Sequence, residues 1–211
     1  IGLGLIGGSI ARGLRRANKD ITIMAYMRTR SKLEQAKADG TIDMILDGID
    51  ETLSACDVIF LCTPVEYNAV YLEKVRPFLK PGALITDIGS TKTDIHQAVE
   101  RLGYEDVFVG GHPMAGSEKT GYESSTDHLL ENAYYILTPS PEIDPEKVAR
   151  YQELVRSLKA LPMILSCQEH DFATAGISHL PHIIAASLVN LVRNEDSEKQ
   201  TMKTLSAGGF K

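Results

Sequence analysis

The glycine pattern at the start of the chain constrains the fold more than any other feature of the sequence. Residues 2–7 read Gly-Leu-Gly-Leu-Ile-Gly, a G-x-G-x-x-G pattern, and apolar residues then recur at helical spacing. In such a pattern one glycine makes a tight turn, a second lets the backbone approach a pyrophosphate, and a third allows close packing of helix on strand. We therefore expect a dinucleotide site, with a purely structural glycine turn as the alternative. The residues expected to contact the cofactor are Gly2, Gly4, Leu5, Ile6 and Gly7.

The first 165 residues alternate short apolar segments, rich in β-branched residues, with segments of helical character. The expected strands are 21–26, 58–62, 83–87, 107–109 and 134–137. This alternation predicts βαβ units, and the uninterrupted apolar run 58–62 is typical of a central strand covered on both faces. We expect an α/β, Rossmann-like, doubly wound and mainly parallel sheet.

Two domains are predicted. Residues 1–165 are expected to form an NAD(P)-binding domain that lacks most of its first strand, and residues 166–211 to begin an all-α domain whose helix, 169–194, is interrupted at Pro181. The second segment is too short for an independent core, so we expect a piece of a longer protein. The polar stretch 112–132 is a long loop, and loops of this length in compact domains tend to be functional.

Composition narrows the classes of function. The chain has 22 Lys and Arg against 28 Asp and Glu, a formal net charge of −6, and the charges are mixed along the sequence. No nucleic-acid partner is therefore expected. Three cysteines without a CxxC pair favour a reducing compartment such as the cytoplasm. No apolar run approaches the roughly 18–20 residues that cross a bilayer, so no membrane contact is expected.

The end of the second predicted strand bears on the choice of cofactor. NAD-binding domains often carry an Asp or Glu about 20 residues after the glycines, where it binds the ribose 2′-hydroxyl. This chain has Met27 there, followed by Arg28, Thr29 and Arg30. Two guanidiniums and a hydroxyl suit a 2′-phosphate, so the sequence favours NADP over NAD. If the arginines are only solvated loop residues, NAD serves equally well.

Three polar clusters follow predicted strands, and a fourth lies on the late helix. They are Cys-Thr-Pro-Val at 62–65, Asp-Ile-Gly-Ser-Thr-Lys at 87–92, Gly-Gly-His-Pro-Met-Ala-Gly-Ser-Glu at 110–118 and Ser-His-Leu-Pro-His at 178–182. Ligands of open α/β sheets bind at the carboxyl ends of strands, so Thr63, Pro64 and Gly89 are expected beside the cofactor. Together the strings resemble prephenate dehydrogenases and their arogenate-specific relatives, over the whole length of the chain.

That resemblance implies roles for individual residues. His112 would accept the proton of the substrate's ring hydroxyl while hydride leaves the same carbon for the nicotinamide, and an ordinary imidazole is mostly neutral at pH 7. Ser90 would hydrogen-bond both the histidine and that hydroxyl; alternatively, it caps a helix that begins near Thr91. Glu118 would reach toward the entrance of the site and pair with an arginine, unless it is simply a loop carboxylate.

Two more histidines belong to the resemblance. His182 would lie near the substrate's carboxylate or side chain, and His179 lies three residues earlier on the same helical face, with a buried structural histidine as the alternative. No carboxylate ligand set accompanies the pair, so no metal is expected. Lys92 is interpreted as a surface residue at the start of a helix.

The resemblance also implies an activity. It implies NAD(P)-dependent oxidative decarboxylation of prephenate to 4-hydroxyphenylpyruvate, or of arogenate to tyrosine, by a homodimer joined through its helical domain. Family members carry a substrate-binding arginine a few residues after a Gly-Gly-Phe such as 208–210, and this sequence ends at Lys211. A β-hydroxyacid dehydrogenase is disfavoured because the helix 169–194 has no lysine. A nucleotide-sensing domain without catalytic activity is also disfavoured, because it would need neither Ser90 nor His112.

Overall fold

The computed structural model describes residues 1–206, in two compact units that divide between His170 and Asp171. The Gly-Gly-Phe at 208–210 lies outside the described residues. In the first unit the strands are β1 Met24–Ala25, β2 Met44–Ile45, β3 Val58–Leu61, β4 Leu84–Asp87, β5 Val109–Pro113, β6 Tyr134–Pro139 and β7 Leu161–Ile164. Its helices are α1 Leu5–Ala17, α2 Arg30–Ala38, α3 Val65–Val75, α4 Thr93–Leu102 and α5 Pro145–Ser157.

The strands pair in three groups, β1–β2, β3–β4 and β5–β6–β7, and residues 1–2 lie between β1 and β3. The pairs β1–β2 and β3–β4 are parallel, and between them Gly2 N donates to Tyr26 O at 2.8 Å while Cys62 N donates to Ile1 O at 2.7 Å. A single parallel bridge, Ile85 with Phe108, joins β4 to the residues just before β5. The sheet continues with β5–β6 antiparallel and β6–β7 parallel. The mainly parallel sheet is confirmed. The sequence did not indicate the reversal at β6, where a loop without a crossover helix returns the chain.

Helices cover both faces of this sheet, as a doubly wound fold requires. Alternate side chains of β3 face two apolar clusters, because successive side chains of a strand point to opposite faces. One cluster includes Leu14 of α1 and Val155 of α5, and the other includes Leu72 of α3 and Val99 of α4. The carboxyl ends of the central strands are therefore left as the edge at which polar side chains gather.

Local sequence signals explain where α5 begins and why two strands were not predicted. Asp144 caps α5 by accepting the Glu146 N–H at 2.8 Å, with Pro145 in the first turn. The strands β2 and β7 were not predicted from sequence. The first is only two residues long, and Pro162 in the second argues against a central strand; the position of β7 at the end of the sheet order tolerates it.

The polar loop between β5 and β6 is anchored at its middle. Tyr122 is fully buried. Its hydroxyl donates a hydrogen bond to Asp39 at 3.0 Å and shares another with the Thr41 hydroxyl at 2.8 Å. The Arg12 guanidinium lies 4.6 Å from the centre of its ring. The loop that follows His112 therefore returns to a fixed point beside α1 and α2.

A continuous helical stretch, Cys167–Glu195, leads into the second unit. It consists of α6 Cys167–Thr174, a π-helical turn Ala175–His179 and α7 Leu180–Glu195, and a short helix, α8 Thr201–Thr204, follows. Pro181 lies in the first turn of α7, where a missing N–H is tolerated, so the expected interruption takes the form of the π turn.

By length and composition this stretch is apolar enough to cross a membrane, contrary to the expectation from sequence. One such helix is weak evidence for a membrane, because apolar helices that pack on protein pass the same test.

Candidate active site

The glycine cradle, formed by Gly2, Gly4 and Gly7, lies at the amino end of α1. Gly2 has a φ of +87°, and a Cβ there would lie 2.4 Å from Cys62 O. A Cβ on Gly7 would lie 2.2 Å from Gly2 O, whereas a Cβ on Gly4 would meet nothing within 4 Å. Gly2 and Gly7 are thus required by packing, and Gly4 faces open space.

The start of α1 suits an anion. The helix has no side-chain cap and no acidic residue in its first turn, which begins with Leu5 and Ile6. Free N–H groups and the positive end of the helix dipole therefore face the open space beside Gly4. This arrangement fits the pyrophosphate of a dinucleotide. The neighbouring Cys62 contributes no nucleophile, because burial raises the pKa of its thiol to about 11.

The end of β1 carries the residues expected beside the ribose. Arg28 and Thr29 are exposed, and Thr29 precedes α2 without forming a side-chain cap. Arg30 forms ion pairs with Asp47 and, at 3.4 Å, with Glu34. Both carboxylates would compete with a 2′-phosphate for the Arg30 guanidinium, but ion pairs between side chains this exposed are weak. Contact of Arg28, Thr29 and Arg30 with a 2′-phosphate stays a prediction.

A relay of side chains connects the ends of β3 and β4. Thr63 Oγ1 donates to Asn68 Oδ1 at 2.8 Å, and Asn68 Nδ2 donates to Asp87 Oδ2 at 3.4 Å. Pro64, at the amino end of α3, is exposed. The polypeptide that follows β3 is thus fixed to the last residue of β4.

A buried ion pair, here called the Asp87–Lys92 clamp, joins the ends of β4 and β5. Both side chains are 0% exposed. The two Asp87 oxygens accept the N–H of Gly89 at 2.8 Å and of Gly111 at 3.2 Å, while Lys92 Nζ donates to Gly111 O at 2.8 Å. The interpretation of Lys92 as a surface residue is wrong. Because α4 begins only at Thr93, the Lys92 side chain enters the interior and meets Asp87.

His112 lies near the end of β5 and contacts a second histidine. Its Nδ1 lies 2.7 Å from His170 Nε2, with the two rings 5.0 Å apart and nearly perpendicular. His170 is 1% exposed and His112 is half-buried. One of these nitrogens donates and the other accepts, so the contact holds the His112 ring in place and couples the tautomers of the two rings.

Ser90 follows Gly89 and is exposed. Lys92, not Ser90, occupies the position before α4, so the alternative of Ser90 as the helix cap is wrong. Within residues 1–206 no hydrogen bond joins Ser90 to His112. Gly89 and Gly111, the residues that precede them, nevertheless bond the same Asp87 carboxylate. Each predicted catalytic residue is thus next in sequence to a glycine that bonds the clamp.

The remaining expected site residues are more dispersed. Glu118 is exposed in the loop after β5, where it accepts a hydrogen bond from Ser117 Oγ at 3.3 Å, and its expected arginine partner is not found among the described residues. His179 ends the π turn and His182 lies exposed in the first turn of α7, both within the second unit. Across residues 1–206 no group of three or more His, Cys, Asp or Glu side chains is arranged to hold a metal.

Sequence reasoning gave no role to three residues of this site, namely Asn68, Asp87 and His170. Asp87 had a usable signal, since it is a carboxylate that ends an apolar strand. Asn68 and His170 had none, because one is an ordinary helix position and the other lies 58 residues from the histidine it contacts.

The fold and site define a Rossmann-type nucleotide-binding domain followed by a helical segment. The sequence profile of the prephenate dehydrogenase nucleotide-binding domain matches residues 10–163, and that of the prephenate dehydrogenase dimerization domain matches residues 166–211. The chain therefore belongs to the prephenate dehydrogenase family.

Individual relatives agree with this assignment. Over its whole length the chain is 40% identical to a prephenate dehydrogenase of Lactococcus lactis and 37% identical to that of Bacillus subtilis, and it spans 58% and 57% of their lengths. Prephenate dehydrogenase from Aquifex aeolicus, solved in complex with hydroxyphenyl propionate and NAD+, superposes with a TM-score of 0.92 at 30% identity, over 99% of this chain and 73% of that one.

A substitution at Gly4 separates a nucleotide site from a structural turn. We expect Gly4→Ala to leave the melting temperature of the ligand-free protein unchanged, because its Cβ meets open space, and to weaken NAD or NADP binding by about tenfold or more, because the methyl group occupies the approach to the pyrophosphate. Gly48→Ala, whose Cβ also meets open space, is the matched control. Unaltered binding by Gly4→Ala, measured by fluorescence titration, would contradict the assignment.

Proposed function

We propose that this chain forms the nucleotide-binding and catalytic part of a prephenate dehydrogenase, which converts prephenate to 4-hydroxyphenylpyruvate and carbon dioxide. The observation that carries the proposal is the His112–His170 contact near the end of β5, next to Gly111, which the Asp87–Lys92 clamp bonds. Because the chain spans little more than half of the two curated relatives, the activity is proposed for the whole protein.

The proposed role of His112 is that of general base. When bound, the nicotinamide accepts hydride from the carbinol carbon of the substrate. His112 takes the proton of the hydroxyl on that carbon. The carbon–carbon bond to the ring carboxylate then breaks with release of carbon dioxide, its electron pair completes the aromatic ring, and the resulting phenolate takes a proton back. Aromatisation supplies the driving force. The protein therefore needs to orient the substrate and hold one proton, and the contact with His170 holds the imidazole ready for this.

Other residues would bind or orient the substrate. Ser90, exposed beside the clamp, would hydrogen-bond the ring hydroxyl, and Glu118 would lie near the entrance. His179 and His182 would approach the substrate's carboxylate or side chain. These roles come from the family resemblance, and the exposure of Ser90, Glu118 and His182 leaves their side chains able to meet a small molecule.

Arogenate is the alternative substrate. It differs from prephenate in carrying an amino group where prephenate has a keto group, and the solved arogenate dehydrogenase of Synechocystis shares 34% identity with this chain. Turnover of each substrate by the full-length protein, followed by absorbance of the reduced nicotinamide, distinguishes them. Turnover of neither would contradict the proposal.

Replacing His112 tests its role as base. We expect His112→Asn to bind the nucleotide normally and to lose about 10²–10⁴-fold in kcat, because an amide cannot accept the hydroxyl proton. Ser90→Ala should cost less, since Ser90 orients rather than transfers the proton. His128→Asn, an exposed histidine in the loop before β6, is the control. If His112→Asn retained more than about a third of kcat, another group would be the base.

Charge at the end of β1 supports NADP as a cofactor at least as good as NAD. Met27 offers no carboxylate to repel a 2′-phosphate, and the exposed Arg28 and Thr29 offer a fork of N–H donors and a hydroxyl. Arg30 contributes less, because Asp47 and Glu34 already engage it.

The two arginines can be tested against each other. We expect NADP to bind at least as tightly as NAD, Arg28→Ala to remove any advantage of NADP, and Arg30→Ala to leave the ratio of the two dissociation constants unchanged. A charge-assisted contact of this kind corresponds to roughly tenfold to hundredfold in affinity. Calorimetric titration of the full-length protein that shows NAD binding tenfold more tightly than NADP would overturn this view.

The second unit supports a homodimer. On α7 the apolar side chains Ile183, Ile184, Leu188 and Leu191 are each at least half exposed. Residues 166–211 match the family's dimerization domain, so the proposed cover for this face is a second copy of the protein rather than a membrane. A cytoplasmic location, favoured by the three free cysteines, is part of the same proposal.

A charged substitution on that face should separate the subunits. We expect the full-length protein to sediment as a dimer at micromolar concentration, and Leu188→Glu to weaken the dimer by about tenfold or more, because a carboxylate is costly to bury at an apolar contact. Asn190→Glu, on another face of the helix, should have little effect. A wild-type protein that sediments only as a monomer would contradict the proposal.

A further inference from the structure

The Asp87–Lys92 clamp is a fully buried ion pair that the proposed chemistry does not use. Removing two charges from water opposes folding, and an ion pair repays that cost only when its geometry is good and its remaining hydrogen-bonding capacity is filled. A pair of apolar side chains would serve stability as well. The bonds that the clamp makes to the backbone therefore indicate what it does.

The clamp lies where the backbone ladder between β4 and β5 has ended. Between β4 and β5 the backbone pairing is limited to the Ile85–Phe108 bridge, where Ile85 N donates to Val107 O at 2.7 Å. Further along, both backbone polar groups of Gly111 bond the clamp: its N–H meets Asp87 and its carbonyl meets Lys92. Side chains thus replace the backbone ladder at the point where β5 approaches His112.

Gly111, which precedes His112, fits this arrangement. A Cβ there would lie 2.6 Å from the backbone oxygen of Asp87. A side chain at position 111 would force the two strand ends apart, and the clamp would lose its contacts. Gly110 has another reason, since a Cβ there would lie 2.2 Å from Thr138 Oγ1 on β6.

We propose that Asp87 and Lys92 are positioning residues, which fix Gly89 and Gly111 and thereby direct Ser90 and His112 toward the same substrate hydroxyl. This inference depends on the proposed function. Asp87 acts on both segments, and Lys92 acts on Gly111 alone while neutralising Asp87. Neither side chain is exposed, so neither is assigned a contact with substrate.

The test compares turnover with nucleotide binding and stability. In the full-length protein, Lys92→Met removes the donor to Gly111 O and leaves Asp87 without its cation. We expect kcat for prephenate to fall at least about thirtyfold, with the NAD dissociation constant changed by less than about threefold. Lys80→Met is the matched control, because Lys80 Nζ also pairs with an aspartate, Asp57, and with a backbone carbonyl, Ala55 O, but at the surface.

Two further variants separate positioning from stability. Asp87→Asn combined with Lys92→Met removes both charges, so it should recover melting temperature relative to Lys92→Met while kcat remains low, because Gly111 O still lacks its donor. Val155→Ala removes buried volume from the core and should lower the melting temperature, yet keep kcat near wild type at temperatures where it is folded.

Three results would overturn the positioning role. They are a kcat within threefold of wild type in Lys92→Met, a kcat in the double variant that recovers together with stability, or failure of both variants to fold into a nucleotide-binding state, which would make the clamp purely structural. Wild-type turnover is measured first. An inactive wild type would count against the proposed function, whereas an active wild type with unimpaired variants would count against the positioning role alone.

Discussion

Backbone pairing between β4 and β5 stops short of the end where ligands bind in folds of this kind, and there a buried Asp87–Lys92 ion pair bonds the Gly111 backbone instead. The Asp87 carboxylate accepts N–H groups from two strand ends, and Asn68 connects it to a third. A carboxylate can do this because it offers several lone pairs to donors that arrive from different directions. The buried lysine makes a full negative charge tolerable at that place.

Backbone groups form one part of the site, and side chains form the other. At the glycine cradle, packing excludes side chains from Gly2 and Gly7, and the open space at Gly4 meets the uncapped start of α1. At the other strand ends, buried partners hold two of the polar side chains: Asn68 bonds Thr63, and His170, almost wholly buried, contacts the ring nitrogen of His112. In the proposed function, cofactor binding and proton transfer would therefore depend on different segments of the chain.

Sequence patterns predicted the features that depend on local chemistry. Glycine spacing and apolar periodicity indicated the doubly wound fold, and the motif around His112 indicated the family. They missed the features that depend on the meeting of distant segments. Lys92 was assigned to the surface because a lysine at a helix start usually lies there. It is buried because Asp87 and the Gly111 backbone of β5, which is distant in sequence, contact it. The same holds for His170 and for the antiparallel β6, whose direction depends on a loop of irregular structure.

The decisive measurement is a structure of the full-length protein with NAD+ and a 4-hydroxyphenyl analogue of the product. We expect the phenol oxygen to lie within hydrogen-bonding distance of both the His112 imidazole and the Ser90 hydroxyl. We also expect His112 Nδ1 to stay on His170 and Gly111 to stay between Asp87 and Lys92. A phenol oxygen held by other groups, with His112 turned away from it, would rule out the proposed roles of His112 and Ser90.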